Sequence, residues 1–273
     1  MDNDAERIVS EYYNTFGWVS KDGITEDALK QEDLRECAKE YVSKCRLKVL
    51  KYIPNSGNYI LDMASGPIQY KEYIEYSKNF KKRYCVDLSK LALEIAKEKI
   101  ADHGVFLHGS FFDIPMEENF FDCTVSLHTI YHIDKDKQED AVRKLINVTK
   151  PGQPVIIVYS NPSTPIISFV TFPFRVLRRI KIILKRLSGK VKPGEEVKLY
   201  FKPHPIKWWK RFKDVSDVKI MPWRTFGSHE QKWLIPNNKF GKKIFDALLV
   251  LEERFPKFFV KHFKYPMIIL TKN

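Results

Sequence analysis

The sequence is poor in cysteine and in long apolar runs, and both shortages exclude classes of protein. Its 273 residues include four cysteines, none of which forms a Cys-x-x-Cys pair. This argues against a zinc knuckle or a disulfide scaffold and indicates reduced thiols in a cytoplasmic protein. No apolar run approaches the roughly 18 residues that a membrane-spanning helix needs. The acidic, polar N-terminus is unlike a secretory signal.

Acidic residues are missing altogether from one stretch of an otherwise mixed chain. The sequence has 47 Lys and Arg against 34 Asp and Glu, a formal charge of +13. Residues 161–192 hold eight of these basic residues and no acidic one. The positive excess is therefore concentrated in one segment and is not a property of the whole surface.

The acid-free stretch has the pattern of a basic amphipathic helix. At 100° per residue, six apolar side chains fall within an arc of about 120°, with basic residues opposite. Residues 166–192 are thus expected either to contact an anionic membrane surface or to form a lid helix whose apolar face packs on the sheet. An RNA groove is less favoured. The six apolar residues are Val176, Leu177, Ile180, Ile183, Leu184 and Leu187.

The middle of the chain alternates β-rich runs with helical patterns, which is typical of βαβ units and a parallel sheet. Helices are predicted at residues 27–52, 89–100 and 136–148, and Ser89 is a good N-cap for the second of them. Strands are predicted at residues 58–63, 83–87, 105–108, 121–127 and 154–159, with two more at 218–221 and 266–270.

This order predicts an α/β protein with a Rossmann-like, doubly wound and mostly parallel sheet of about seven strands and inserted helical lid segments. We expect a single domain over residues 1–273. Its expected parts are an N-terminal helical lid at 1–56, a cofactor-binding core at 57–160, a basic insert at 161–213 and C-terminal strands at 214–273.

Three short segments carry the chemistry of the core. The run LDMASGP ends the first predicted strand with Asp62 and continues into a turn of small residues through Gly66. Asp87 follows Gly66 by 21 positions at the end of the second strand, where a carboxylate can hold a ribose diol. The run from Ser110 to Asp113 follows the third strand and offers an aromatic ring and an acid to a base.

These segments, with YCVDLS, GSFFDIPMEENFFD and LINVTKPGQPVIIVYS, resemble the class I S-adenosylmethionine-dependent methyltransferases over roughly residues 38–158. The run from FFDIP to FFD is similar to the family's GDxxxLPFxxxxFD stretch. The resemblance implies S-adenosylmethionine as cofactor and a small-molecule, sugar or lipid-linked acceptor that is methylated on oxygen. It places Asp62, Ala64, Ser65 and Gly66 at the methionine end, Asp87 and Leu88 at the ribose and adenine, Phe112 and Asp113 at the adenine amine, and His128 at the sulfonium.

The turn departs from the family's DxGxGxG pattern, because Ala64 and Ile68 replace its first and third glycines. An alanine costs little there if its φ stays negative, while Pro67 stiffens the loop and removes one donor. The same departure disfavours a nicotinamide dehydrogenase, whose pyrophosphate needs glycine at the close approach.

Two histidines follow the fourth predicted strand, and either can serve as a general base toward an acceptor hydroxyl. His128 and His132 stand four residues apart, a spacing that on a helix would also suit zinc. No glutamate lies between them and no third ligand is evident, so no metal is expected. The sequence does not choose between the two histidines, and Tyr131 is a further candidate for catalysis.

Aromatic residues near the N-terminus are candidates for acceptor binding. Tyr12 and Tyr13 resemble the tyrosine pair with which small-molecule methyltransferases cover their site, although a buried helix face explains them equally well. Two other functions stay open. One is an RNA-binding protein or RNA methyltransferase, and the other is a catalytically silent methyltransferase-like binding protein. Methylation of a flipped base is disfavoured because no Asn/Asp-Pro-Pro-aromatic box follows the fourth strand.

Overall fold

The computed structural model describes residues 4–21, 24–187 and 199–273. Its centre is a seven-stranded sheet, as predicted. A separate hairpin pairs β1 (Ser20–Lys21) with β2 (Ile24–Thr25). The sheet consists of β3 (Gly57–Met63), β4 (Phe80–Asp87), β5 (Gly104–His108), β6 (Cys123–Leu127), β7 (Pro154–Val158), β8 (Ser216–Arg224) and β9 (Tyr265–Lys272).

The strands lie in the order β5-β4-β3-β6-β7-β9-β8, and β9 is antiparallel to both of its neighbours. Because β4 and β6 lie on opposite sides of β3, the winding direction reverses at the carboxyl end of β3. Open α/β sheets bind ligands in the crevice that this reversal creates. The topology therefore places a site beside the turn that follows Met63.

Helices cover both faces of the sheet, which explains the apolar runs inside its strands. Residues 155–158 of β7 are fully buried, since each face packs against a separate apolar cluster. The helices are α1 (Asp4–Tyr12), α2 (Glu26–Gln31), α3 (Glu36–Leu47), α4 (Lys71–Ile74), α5 (Lys90–Ile100), α6 (Gln138–Val148), α7 (Pro165–Val170), α8 (Phe172–Leu187), α9 (Ser228–Leu234), α10 (Lys239–Arg254) and α11 (Pro256–His262).

The helix predicted at residues 27–52 is wrong in one respect, because the chain breaks it into α2, α3 and a 3₁₀ turn. At the break Glu32 is extended and its buried carboxylate accepts from Arg224 at 2.7 Å. Asp33 is also buried, and it pairs with Arg35 at 2.7 Å. These ion pairs, one of them long-range, override the local helical periodicity.

The start of α5 follows its sequence signal closely. The Ser89 hydroxyl accepts a hydrogen bond from the Ala92 amide at 3.2 Å, the N-cap that the sequence predicts. This cap lies beside the Asp87 carboxylate at the strand end, which accepts from the Ser89 amide at 2.8 Å.

The basic amphipathic helix forms as α8, but its apolar face does not pack on the sheet. Phe174 stacks on Trp233 of α9 at 6.0 Å between ring centroids, and beyond it Leu177, Ile183 and Leu184 are more than half exposed. The lid-packing interpretation of this helix is therefore wrong. Within the described ranges, no helix is both long and apolar enough to cross a bilayer.

Candidate functional site

A cavity of about 570 Å³ opens at the carboxyl ends of β3, β4, β5 and β6. Its floor consists of the turns that follow these strands, and its walls come from the N-terminal segment and from residues near 200, 224 and 265. A cleft of this size accommodates a cofactor and the reacting part of an acceptor. The sheet reversal and the cavity thus coincide.

The turn after β3 holds three residues in the left-handed region. Ala64, Gly66 and Ile68 have φ values of 57°, 54° and 47°. Ala64 thus fails the condition of a negative φ under which an alanine costs little there, and a non-glycine residue in this region costs about 1–2 kcal/mol. Such strain at a ligand-facing turn is typical of functional sites, where the surrounding structure fixes the backbone.

Asp87 ties this turn to the start of α5. One carboxylate oxygen accepts from the Gly66 amide at 2.8 Å and the other from the Ser89 amide at 2.8 Å. Burial raises the pKa of Asp87 to about 6. The side chain lines the cavity next to Leu88, and the contact of these two residues with a ribose and adenine stays a prediction.

Asp62 lies deeper, and it forms a buried ion pair. Its carboxylate accepts from the Arg83 guanidinium, which also donates to the Tyr73 carbonyl at 2.6 Å. Asp62 lines the cavity beside Ala64 and Ser65. The Arg83 guanidinium neutralises part of the Asp62 charge. Less of that charge is therefore available for the predicted contact with the methionine end of the cofactor.

The loop after β5 brings only part of the predicted pair to the cavity. Phe111 and Phe112 line it, and Lys144 of α6 donates to both of their carbonyls at 2.5 and 3.0 Å. Asp113 is exposed and does not line the cavity. In the GDxxxLP pattern, the acid position falls on Ser110 rather than Asp113, which accounts for the misplaced expectation.

The two histidines both line the cavity but differ in their hydrogen bonds. His132 Nδ1 lies 2.5 Å from the Tyr200 carbonyl oxygen. A carbonyl can only accept, so Nδ1 carries the proton and Nε2 is the basic nitrogen. Burial lowers the pKa of His132 to about 4, so the ring is neutral near pH 7.

His128 has a less defined hydrogen-bonding state. Its Nδ1 lies 3.0 Å from the Tyr131 hydroxyl, which can donate or accept, so the contact does not fix the tautomer. The ring packs at 4.8 Å from Trp223 and 5.3 Å from Tyr265. Burial pushes the pKa of His128 well below its ordinary value and that of Tyr131 well above, so Tyr131 stays protonated.

The N-terminal segment covers the cavity with one of the two predicted tyrosines. Tyr13 lines the cavity and stacks on Trp18 at 4.7 Å, whereas Tyr12 is buried and does not line it. Trp18 lies against the turn, since a Cβ at Gly66 would sit 3.0 Å from the indole. Its buried Nε1 has no hydrogen-bond partner among the described residues.

Sequence reasoning missed several residues at the far end of the cavity. Asp27 is largely buried, and burial together with the charge of Glu32 raises its pKa to about 6. Arg224 pairs with Glu32, and Lys264 pairs with Glu230 at 3.0 Å. No local signal marks these residues, because distant segments bring them together. Within the described chain, no group of three or more His, Cys, Asp or Glu side chains is arranged to hold a metal ion.

The family profile described as "Methyltransferase domain" matches residues 61–157. An uncharacterized methyltransferase from Anoxybacillus flavithermus is 28% identical over 105 residues, which is 38% of this chain and 48% of that protein. The ubiquinone/menaquinone biosynthesis C-methyltransferase UbiE from Pseudomonas fluorescens is 24% identical over 120 residues, or 41% of this chain and 46% of that protein. The chain thus spans about half the length of these curated relatives.

Solved structures share the fold at low identity. A SAM-dependent methyltransferase from Archaeoglobus fulgidus is 14% identical, with a TM-score of 0.53 over 86% of this chain and 94% of that one. Another is the geranyl diphosphate C-methyltransferase from Streptomyces coelicolor, solved with Mg²⁺, geranyl diphosphate and S-adenosyl-L-homocysteine. It is 12% identical, with a TM-score of 0.57 over 100% of this chain and 99% of that one.

Proposed function

We propose that this chain, which belongs to the class I S-adenosylmethionine-dependent methyltransferases, transfers a methyl group to an oxygen of a small-molecule, sugar or lipid-linked acceptor. One observation carries the proposal. A single cavity has a buried carboxylate at the end of β4, Asp87, on one side and a histidine with a defined basic nitrogen, His132, on the other.

The residues at the carboxyl end of β3 fit the cofactor. The turn is held in a strained conformation and its small residues Ala64, Ser65 and Gly66 line the cavity, so the backbone there can approach a ligand. The orphaned Trp18 Nε1 offers a donor beside the turn, and Asp87 offers acceptors for a diol. When bound, S-adenosylmethionine supplies an electrophilic methyl group on a positively charged sulfur.

His132 is the residue we assign to deprotonation of the acceptor. Its Nε2 takes the proton that an acceptor hydroxyl loses as the oxygen becomes nucleophilic. The Tyr200 carbonyl keeps the proton on Nδ1 and orients the ring. Tyr131 and His128 form a hydrogen-bonded pair next to it and shape the pocket. The main catalytic contribution is the orientation of the acceptor in line with the methyl group.

Transfer of a labelled methyl group tests this function. Protein, [methyl-³H]S-adenosylmethionine and extracts of the source organism would be incubated and partitioned into aqueous and organic phases. We expect label that hydriodic acid releases as methyl iodide, because that reaction cleaves O-methyl groups and leaves C-methyl groups intact. Retained label would exclude oxygen and leave carbon or nitrogen as the acceptor atom. Cofactor binding without any transfer would favour the catalytically silent alternative.

We further infer that the acceptor is lipid-linked and that the protein binds it at an anionic membrane surface. The chain leaves the cavity wall at Ser160 and returns to it at Leu199, so the basic insert is attached at the cavity. The exposed aromatics Phe169 and Phe172 begin this insert, and α8 then presents apolar and basic faces. Such a helix lies in the interface of an anionic bilayer.

Sedimentation with vesicles tests the membrane contact. Wild-type protein is expected to bind vesicles containing 30% phosphatidylglycerol and to bind pure phosphatidylcholine at least about 10-fold more weakly. Ile180→Glu should weaken binding about 10-fold, because a charge replaces part of the inserted face. Val250→Glu, at an exposed apolar side chain of α10, is the matched control. Binding to RNA with none to either vesicle would contradict this inference and favour the nucleic-acid alternative.

A further inference from the structure

The N-terminal helix contributes a carboxylate to the cavity. Glu6 of α1 lines it, and the Ser110 hydroxyl, just after β5, donates to Glu6 Oε1 at 2.7 Å. Ser110 stands at the position where the sequence pattern has its acid. The serine therefore binds an acidic side chain in the place where the pattern has its own carboxylate.

The strand order shows which part of a nucleoside would meet Glu6. Asp87, at the end of β4, holds the ribose under the proposed function, and the reactive end points toward His132 after β6. Strand β5 lies on the other side of β4, at the edge of the sheet. The base of a nucleoside anchored at Asp87 is thus directed to the loop after β5, where Phe111 and Phe112 supply apolar walls.

We propose that Glu6, held by Ser110, accepts a hydrogen bond from the exocyclic amine of adenine, so that α1 completes the base end of the cofactor site. A carboxylate offers about four lone-pair sites, and Ser110 uses one of them. This inference rests on the proposed function, because it assumes that S-adenosylmethionine occupies the cavity.

A second contact attaches the N-terminal segment to the core. The Ser89 hydroxyl donates to the Asn14 side-chain oxygen at 2.6 Å, so this segment is fixed at the loops after both β4 and β5. A base bound at Glu6 would add a third attachment between the segment and the core. A bound cofactor would therefore stabilise the contact between α1 and the core.

The test compares S-adenosylhomocysteine with S-inosylhomocysteine, in which a carbonyl oxygen replaces the amine. Wild-type protein is expected to bind the adenine compound about 10-fold more tightly, because the carbonyl oxygen would face the carboxylate. In Glu6→Gln the amide accepts from the amine or donates to the carbonyl, so the ratio of the two Kd values should fall to about 2 or less. Ser110→Ala should lower the ratio partly, since Glu6 loses its anchor.

Glu11→Gln, on the exposed part of the same helix, is the matched control and should keep the wild-type ratio. Thermal unfolding would establish that each variant is folded. An unchanged ratio in Glu6→Gln, with S-adenosylhomocysteine still bound, would overturn the role of Glu6 alone. No binding of S-adenosylhomocysteine to wild-type protein would overturn the proposed function and this inference together.

Discussion

The two ends of the cavity are built in different ways. The cofactor end comes mainly from the turns after β3, β4 and β5, which hydrogen bonding between neighbouring parallel strands places side by side. Under the proposed function, the acceptor end adds segments far apart in the chain to the turn after β6, as in the ion pair between Glu32 and Arg224. Backbone pairing thus positions the cofactor end, and side-chain pairing between distant segments completes the acceptor end. Substitutions should therefore affect cofactor binding and acceptor chemistry separately.

The largest expected effect is a loss of catalysis, without a loss of cofactor binding, when the acceptor end is changed. His132→Asn removes the basic nitrogen, and we expect kcat for methyl transfer to fall by about 10²–10³. The Kd for S-adenosylhomocysteine should stay within about 2-fold, since His132 does not line the ribose end. Kinetics and calorimetry on one preparation measure both values. Equal losses in kcat for His128→Asn and His132→Asn would show that the hydrogen-bonding difference does not select the base.

The matching change at the cofactor end is Asp87→Ala. It removes the acceptors for the ribose diol and leaves the Gly66 and Ser89 amides without their partner. We expect the Kd for S-adenosylhomocysteine to rise about 100-fold. Asp113→Ala, an exposed acid after the neighbouring strand, should leave the Kd unchanged. A large loss in Asp113→Ala would restore the placement that the family resemblance suggests.

A pH experiment probes the buried histidine. The pKa of His132 falls from 6.5 to about 4 on folding, so the unfolded chain binds more protons between these values and stability is lost as pH falls from 6.5 toward 4. Asp27 and Asp87 have raised pKa values and act in the opposite direction below pH 6. The difference in unfolding free energy between wild type and His132→Asn isolates the histidine.

Urea unfolding at pH 7.5 and pH 5.0 measures that difference. Between the two pH values, wild type should lose about 2 kcal/mol more than His132→Asn. Equal losses in the two proteins would show that the His132 ring takes up a proton in the folded state as readily as in the unfolded chain.

The smallest expected effect concerns the strained turn. Ala64→Gly relieves the cost of a left-handed alanine and should raise the free energy of unfolding by about 1 kcal/mol. Ala96→Gly, inside α5, should lower it by about 1 kcal/mol because glycine is unfavourable in a helix. Denaturant unfolding compares the pair. A loss of stability in Ala64→Gly would contradict the inferred strain.

The same comparison explains which features can be predicted from the sequence and which cannot. The strand positions, the Ser89 cap and the placement of Asp87 could all be predicted, because each depends on periodicity or spacing within about 30 residues. The break before α3 could not, since buried charges that pair with distant residues impose it. The φ of Ala64 also escaped prediction, because the turn geometry overrides the preference of the residue.

The sequence did not predict the residues of the acceptor end or the exposure of the apolar face of α8. Asp27 and Arg224 carry no local signal, and the choice of His132 over His128 depends on a carbonyl 68 residues away in the chain. The amphipathic pattern of α8 predicted the helix correctly. It did not reveal that the apolar face stays exposed, because periodicity identifies a face and not its partner.

Calorimetric titration of the wild-type protein with S-adenosylhomocysteine tests the central claim most directly. The claim is that the cavity at the ends of β3 and β4 holds the cofactor through Asp87, independently of the acceptor end. We predict one molecule bound per chain, with affinity retained in His132→Asn and lost in Asp87→Ala. Absence of binding to the wild type, or equal weakening in the two variants, would contradict the account.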